Sequence, residues 1–271
     1  MKFILKPFLV LFFSSLATYA QVPEAILQMQ FVEIPAGKTW IGKIELTCPE
    51  GPDQRNVPDA QRWTSADYEA CIELARNHSR SGFEVFFDTA FWLGKYELTQ
   101  AQWQAVMGKN PAFFQDRDDN NAYPVESISW EEVQVFIKKL NDLDHRYSYR
   151  LPTAFEWEYA AKAGASEPLS WKATKEQAWI QDTNKGKPQR IGSMQPNAWG
   201  LYDMLGNVWE WVADFHNGKS VPDPVPPASG KVHVLKGGSF SSDVTNATYF
   251  FHGGGPGNGW DVGFRLVRMA K

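Results

Sequence analysis

Apolar residues recur along this chain in two different periods, and the switches between them mark its elements. In Phe31–Lys43, Phe31, Val32 and Ile34 lead into a Pro-Ala-Gly turn and then Trp40 and Ile41, the pattern of two short strands. Phe83–Leu98 returns to the same β-branched and aromatic composition. Three later runs follow a helical period, each opened by a hydroxyl residue with Glu or Gln three positions on. Thr99 and Gln102 precede Trp103, Val106 and Met107; Ser129 and Glu132 precede Val133, Phe136, Ile137 and Leu140; Thr153 and Glu156 precede Trp157, Ala160 and Ala161. Each is a capping box, in which two side chains satisfy orphan amide donors reciprocally, so three helices are predicted there. Pro111, Pro124 and Pro152 punctuate the gaps.

Elsewhere the pattern breaks. Glu45–Gly82 is polar, carries Pro49, Gly51, Pro52 and Pro58, and holds one helix-like run, Ala66–Asn77. After Gly164 the chain reads as loop, and Val221–Gly230, with four prolines, argues against regular structure. Lys236–Phe240 and Phe264–Val267 read as closing strands with a glycine-rich turn, Gly253–Gly257, between them. Strands scattered among a few short helices make the class α+β, in one domain.

The densest stretch is Asn197–Trp211, with three tryptophans, a tyrosine and two acids. Asn197, Gly200, Gly206 and Asn207 are turn residues, and Val208–Val212 reads as a short strand. Ordering so many large side chains must be offset by burial or by an ion. Asp203 and Glu210, on either side of the Gly-Asn turn, either accept hydrogen bonds from turn amides or join backbone carbonyls in the hard-oxygen set of a calcium ion.

Composition narrows the setting. The formal net charge is −4 over 271 residues, with no Lys/Arg cluster to track phosphates, which excludes nucleic acid as a partner. Lys2 and Lys6, the apolar run Phe8–Phe13 and small residues up to Ala20 form a cleavable signal peptide over residues 1–20. The expected mature chain is therefore one domain over 21–271, exported to the periplasm or beyond, with no transmembrane span. Cys48 and Cys71 are the only cysteines, and in an exported chain a lone pair forms a disulfide, here stapling the insertion at about 45–82. There is no CxxC and no histidine pair beside them to support a metal role.

Several phrases in one order then resemble the formylglycine-generating enzyme, or sulfatase-modifying factor, family. They are Phe31–Gly42, Gly94–Thr99, Pro124–Trp130, Arg150–Tyr159, Asn197–Trp211, Lys236–Phe240 and Gly263-Phe-Arg265. The resemblance implies a variant C-type-lectin-like fold, low in regular structure. It implies calcium held by the side chains of Asp203 and Glu210 and the carbonyls of Gly206 and Val208. A second calcium site of the family does not carry over, because the matching stretch, about 182–195, is short and basic. Enzymes of the family also oxidise a substrate cysteine with copper and two cysteines soon after the Gly-Gly-Ser strand. At those positions this chain has Ser242 and Ala247. Cu(I) selects thiolates, which an alcohol and a methyl do not supply, so neither copper nor formylglycine generation is expected. Ser242-Asp243 reads as a turn rather than a nucleophile with its acid.

The resemblance thus implies a binding or regulatory module with a protein partner in the periplasm or at the inner or outer membrane. Cysteine-lacking relatives include TagR-like proteins, which help switch on a membrane Ser/Thr kinase controlling type VI secretion. The alternative is an exported oxidoreductase of changed chemistry, as in maturation of a siderophore chromophore.

Overall fold

A computed structural model describes residues 22–43, 80–115, 122–166, 171–184, 186–244, 246–255 and 258–271, with 69, 73 and 169 between them. The signal peptide, Cys48, Cys71 and nearly all of the insertion lie outside the described residues.

A short helix α1 (Glu24–Leu27) leads into β1 (Phe31–Ile34) and β2 (Gly37–Ile41). These strands do not pair with one another. β2 pairs antiparallel with β3 (Phe83–Phe87), while β1 pairs with β4 (Phe91–Gly94) in a second sheet. That sheet has the order β1-β4-β10-β5, with β5 at Tyr147–Arg150 and β10 at Val267–Ala270. The two ends of the described chain therefore flank the same strand and close the fold. A third sheet, β8-β7-β6-β9, comprises β6 (Trp209–Phe215), β7 (His233–Lys236), β8 (His252–Gly255) and β9 (Val262–Gly263). Its β6–β9 pairing is parallel.

All three predicted helices form: α2 (Gln100–Met107), α3 (Trp130–Leu143) and α4 (Ala154–Lys162). In each, the cap hydroxyl accepts from the third helical amide and that residue's side chain accepts from the cap amide. α3 turns Val133, Phe136, Ile137 and Leu140 inward, and Phe136 stacks on Trp103 of α2 with ring centroids 5.1 Å apart. One core gathers there around Phe264 and Trp211; a second surrounds Trp157, Leu93, Val212 and Val234.

The glycine-rich run at 253–255 is strand β8 rather than a turn, paired residue for residue with β7. Glycine is needed because a Cβ on Gly254 would stand 2.6 Å from Cγ of His216. β7 also stops sooner than the apolar pattern implies, since Gly237 and Gly238 have φ of 92° and 80° and leave the extended region at Lys236. The predicted strand over 264–267 is an extended crossing between β9 and β10, whose carbonyls at Phe264 and Leu266 accept from Leu98 and Gly94. The stretch after Gly164, read as loop, contains helix α5 (Trp171–Gln177), too short to carry an apolar stripe.

Candidate functional site

Two registers build the site. The antiparallel β6–β7 ladder sets Glu210 opposite Lys236, so the turn Gly237-Gly238-Ser239 begins beside it. The parallel β6–β9 ladder sets Glu210 opposite Gly263, two residues before Arg265.

Asp203 and Asn207 adopt φ of 54° and 56°, and Gly206 one of 76°. Gly206 is obligatory, because a Cβ there would lie 2.3 Å from the Trp179 carbonyl oxygen. Asn207 pins the turn from both sides. Its Oδ1 accepts from Gln189 N at 2.8 Å, and its Nδ2 donates to Glu97 Oε2 at 2.6 Å. Glu97 Oε1 takes the Val208 amide at 3.1 Å.

This turn brings three buried carboxylates, Glu97, Asp203 and Glu210, around one buried guanidinium, Arg265. Glu210 is bonded on both oxygens. Its Oε1 accepts from Arg265 Nη2 at 2.6 Å and Nε at 2.9 Å, and its Oε2 from Trp157 Nε1 at 2.7 Å and Arg265 Nε at 2.8 Å. Arg265 also reaches the carbonyls of Gly94, Tyr202 and Asp203. Asp203 Oδ2 accepts from Gly192 N at 2.6 Å, whereas its Oδ1 is buried without a partner. Burial, then the charges of Asp203 and Glu210, lifts the Glu97 carboxyl well above the usual range. Burial likewise pushes Asp203 up to about 6, against the pull of the Gly192 amide and Arg265.

Residues of the expected calcium set fit a cation unequally. Asp203 fits, with a buried, orphaned oxygen on a carboxyl that burial destabilises as an anion. Glu210 is engaged on both oxygens by three protons, from Arg265 Nη2, the shared Arg265 Nε and Trp157, which leaves it little capacity for a cation. Glu97, absent from the sequence-level set, has a hydrogen bond on each oxygen and room for more. Among the described residues no group of three His, Cys, Asp or Glu side chains has metal-binding geometry.

Ser242 and Ala247 come together on Gly238. An ideal Cβ on that glycine would stand 3.4 Å from Ser242 Oγ and 3.1 Å from Ala247 Cα. Ser242 closes a turn, its Oγ accepting from Ser239 N and its amide donating to Ser239 O, both at 3.0 Å. Asp243 caps the next turn through Asn246, and Ala247 is buried in the core. Among the described residues no histidine bonds Ser242 Oγ.

Beside this turn lies a cluster the sequence reading missed. Ser239 Oγ and Ser241 Oγ donate to Asp261 Oδ2 at 2.7 and 2.8 Å. Alternate residues carry aromatics: Phe240 and Trp260 meet at 5.2 Å, and both contact Phe114. Trp211 is core, whereas Trp260 is 49% exposed. The Gly-Gly-Ser and Gly-Phe-Arg phrases flanking these residues were the available signal.

This fold, with a glycine turn at the end of a central strand and a buried Arg–Glu pair behind it, defines a sulfatase-modifying-factor-type domain. Residues 30–270 match the family described as Sulfatase-modifying factor enzyme 1-like domain, and the chain belongs to that family. It is 28% identical over 233 residues to "Chaperone protein LppX" of Paenibacillus barcinonensis, covering 66% of this chain and 80% of that one. It is 29% identical over 261 residues to the formylglycine-generating enzyme of Mus musculus, covering 80% and 68%. A shorter match, 35% identical over 132 residues, is to "Serine/threonine-protein kinase pkn1" of Chlamydia caviae, covering 44% of this chain and 19% of the kinase. Among solved structures, Treponema denticola variable protein 1 superposes with a TM-score of 0.65 at 26% identity, covering 88% and 94%. No helix among the described residues is long and apolar enough to cross a membrane.

Proposed function

We propose that this protein is an exported binding or regulatory module that keeps the family's scaffold and has left its copper-dependent oxidation behind. The observation that carries this is at Gly238. The two residues against it are a serine whose hydroxyl closes a local turn and an alanine packed into the core. Neither supplies a thiolate, and neither can turn toward a metal without breaking the turn or exposing core. The occupant of the site is a protein. A relative named as a chaperone and another named as a kinase support that reading. The finer proposal, activation of a membrane Ser/Thr kinase pathway that controls type VI secretion, rests on the resemblance to TagR-like relatives.

Calcium is part of the proposal, bound at the orphaned Asp203 Oδ1 and the Gly206 and Val208 carbonyls, with Glu210 joining by giving up bonds to Arg265. Three buried acids against one guanidinium leave excess negative charge that a divalent ion would neutralise.

The test is incubation with a cysteine-bearing sulfatase-type peptide, oxygen and copper, read by mass spectrometry. No aldehyde is expected; conversion of the cysteine would end this reading. In parallel, capture from a solubilised membrane fraction is expected to recover one protein.

A further inference from the structure

We propose that Asp261 and Trp260 form a recognition site for a protonated basic side chain, lysine or arginine, of the protein partner. This deepens the binding-module reading and rests on it.

Ser239 is fully buried, and its hydroxyl proton goes to Asp261 Oδ2 at 2.7 Å. The exposed Ser241 spends its proton on the same oxygen at 2.8 Å. The lone pairs of Ser239 Oγ take the Ser241 amide at 3.2 Å. Ser239 Oγ and Ser241 Oγ also lie 2.9 Å apart, so the two hydroxyls and Asp261 Oδ2 form one closed network that leaves Asp261 Oδ1 as the open acceptor. Among the described residues no donor reaches Asp261 Oδ1, and no cationic side chain pairs with this carboxylate. Gly259 keeps the oxygen uncovered, since a Cβ there would stand 3.1 Å from Oδ1.

The segments 239–241 and 260–261 run side by side, with Ser239 and Ser241 bonded to Asp261 and Phe240 in ring contact with the neighbouring Trp260. Phe240 sits under Trp260, and Phe114 joins both at 5.6 and 5.9 Å. Phe113, 71% exposed, extends the surface from Phe114 at 5.0 Å. A half-exposed indole beside a carboxylate with free lone pairs is complementary to a donor-rich cation. The carboxylate supplies a charge-assisted bond, and the ring face supplies a cation–π contact.

The experiment uses the whole mature chain labelled with ¹⁵N and follows the Trp260 indole N–H signal. The probes are acetyl-Gly-Arg-Gly-amide and acetyl-Gly-Lys-Gly-amide, with the citrulline and norleucine versions and methyl glucoside as neutral counterparts. We expect the basic peptides to shift the signal saturably, with Kd about 10-fold tighter than the neutral ones and weakening as salt rises. Asp261→Asn keeps the acceptor for both serines and should lose that preference. Equal binding of arginine and citrulline peptides overturns the proposal, as does tighter binding of the glucoside or no shift with any probe. The citrulline arm uses the wild-type chain and decides the question even if the variant fails to fold. A membrane partner captured equally well by Asp261→Asn would sink this inference while leaving the binding-module reading intact.

Discussion

Arg265 holds Glu210 through Nε and Nη2 at 2.6–2.9 Å, with both side chains buried. The pair joins β6 to the crossing between β9 and β10, and Arg265 ties Gly94 to the same point from 171 residues away. Buried pairs of this kind are costly to break from one side, because the remaining charge is left without solvent or partner. Arg265→Met strands Glu210 beside Glu97 and Asp203, and should cost about 3–5 kcal/mol or prevent folding. Glu210→Gln keeps one acceptor oxygen, for either Arg265 or Trp157, and strands no carboxylate while relieving acidic repulsion, so it should cost less. Urea denaturation of both checks the order; equal losses would contradict the charge argument.

The calcium proposal separates stability from binding. Asp203 carries the orphaned oxygen and is raised by burial and by Glu210. Asp203→Asn removes that charge, so without divalent ions its melting temperature should equal or exceed the wild type's. Its calcium affinity should fall about 10-fold, one lost charge being worth about 1.4 kcal/mol. Differential scanning calorimetry with calcium and with chelator gives both. A wild-type melting temperature indifferent to chelator would remove calcium from the account.

Much of this site was legible in the sequence wherever the signal is local. The caps at Thr99, Ser129 and Thr153 are satisfied within four residues, so the helices they open could be read directly. Gly206 and Asn207 announced a turn by residue type, and Ser242 and Ala247 by position after Gly-Gly-Ser. What could not be read are roles fixed by distant partners. Glu97 sits in the acid cluster because Asn207, 110 residues on, donates to it. Asp261 receives Ser239 across 22 residues of which the apolar pattern says little. The glycines at 253–255 misled for the opposite reason, because close packing against His216, not flexibility, is what requires them.

Two glycines in the same motif give a controlled comparison. Gly200 and Gly206 both have positive φ, 83° and 76°. A Cβ on Gly200 would meet nothing within 4 Å, whereas one on Gly206 would strike the Trp179 carbonyl. Gly200→Ala should therefore cost only the left-handed penalty, about 1–2 kcal/mol. Gly206→Ala adds a backbone clash and should exceed about 3 kcal/mol or abolish folding. Equal losses by thermal denaturation would mean that the turn at Trp179 yields freely.

Acid titration should expose His252. Burial, followed by the charges of Lys236 and His216, pushes its imidazole down to about 3. Nε2 contacts the Lys219 carbonyl at 2.8 Å, and Nδ1 is buried without a partner. The folded state thus favours the neutral ring, so this stability is complete above the unfolded value near 6.5. It drains as pH falls toward 3. Between pH 6.5 and 4.5 the loss is about 2–3 kcal/mol. Glu97 and Asp203 work in the opposite direction, since both are raised and gain stability on protonation. The informative quantity is therefore the difference between wild type and His252→Gln, which keeps a donor for Lys219 and cannot titrate. The variant should be less destabilised by acid across that interval in urea-denaturation curves. Parallel pH profiles for the two proteins would show that His252 charges as readily folded as unfolded.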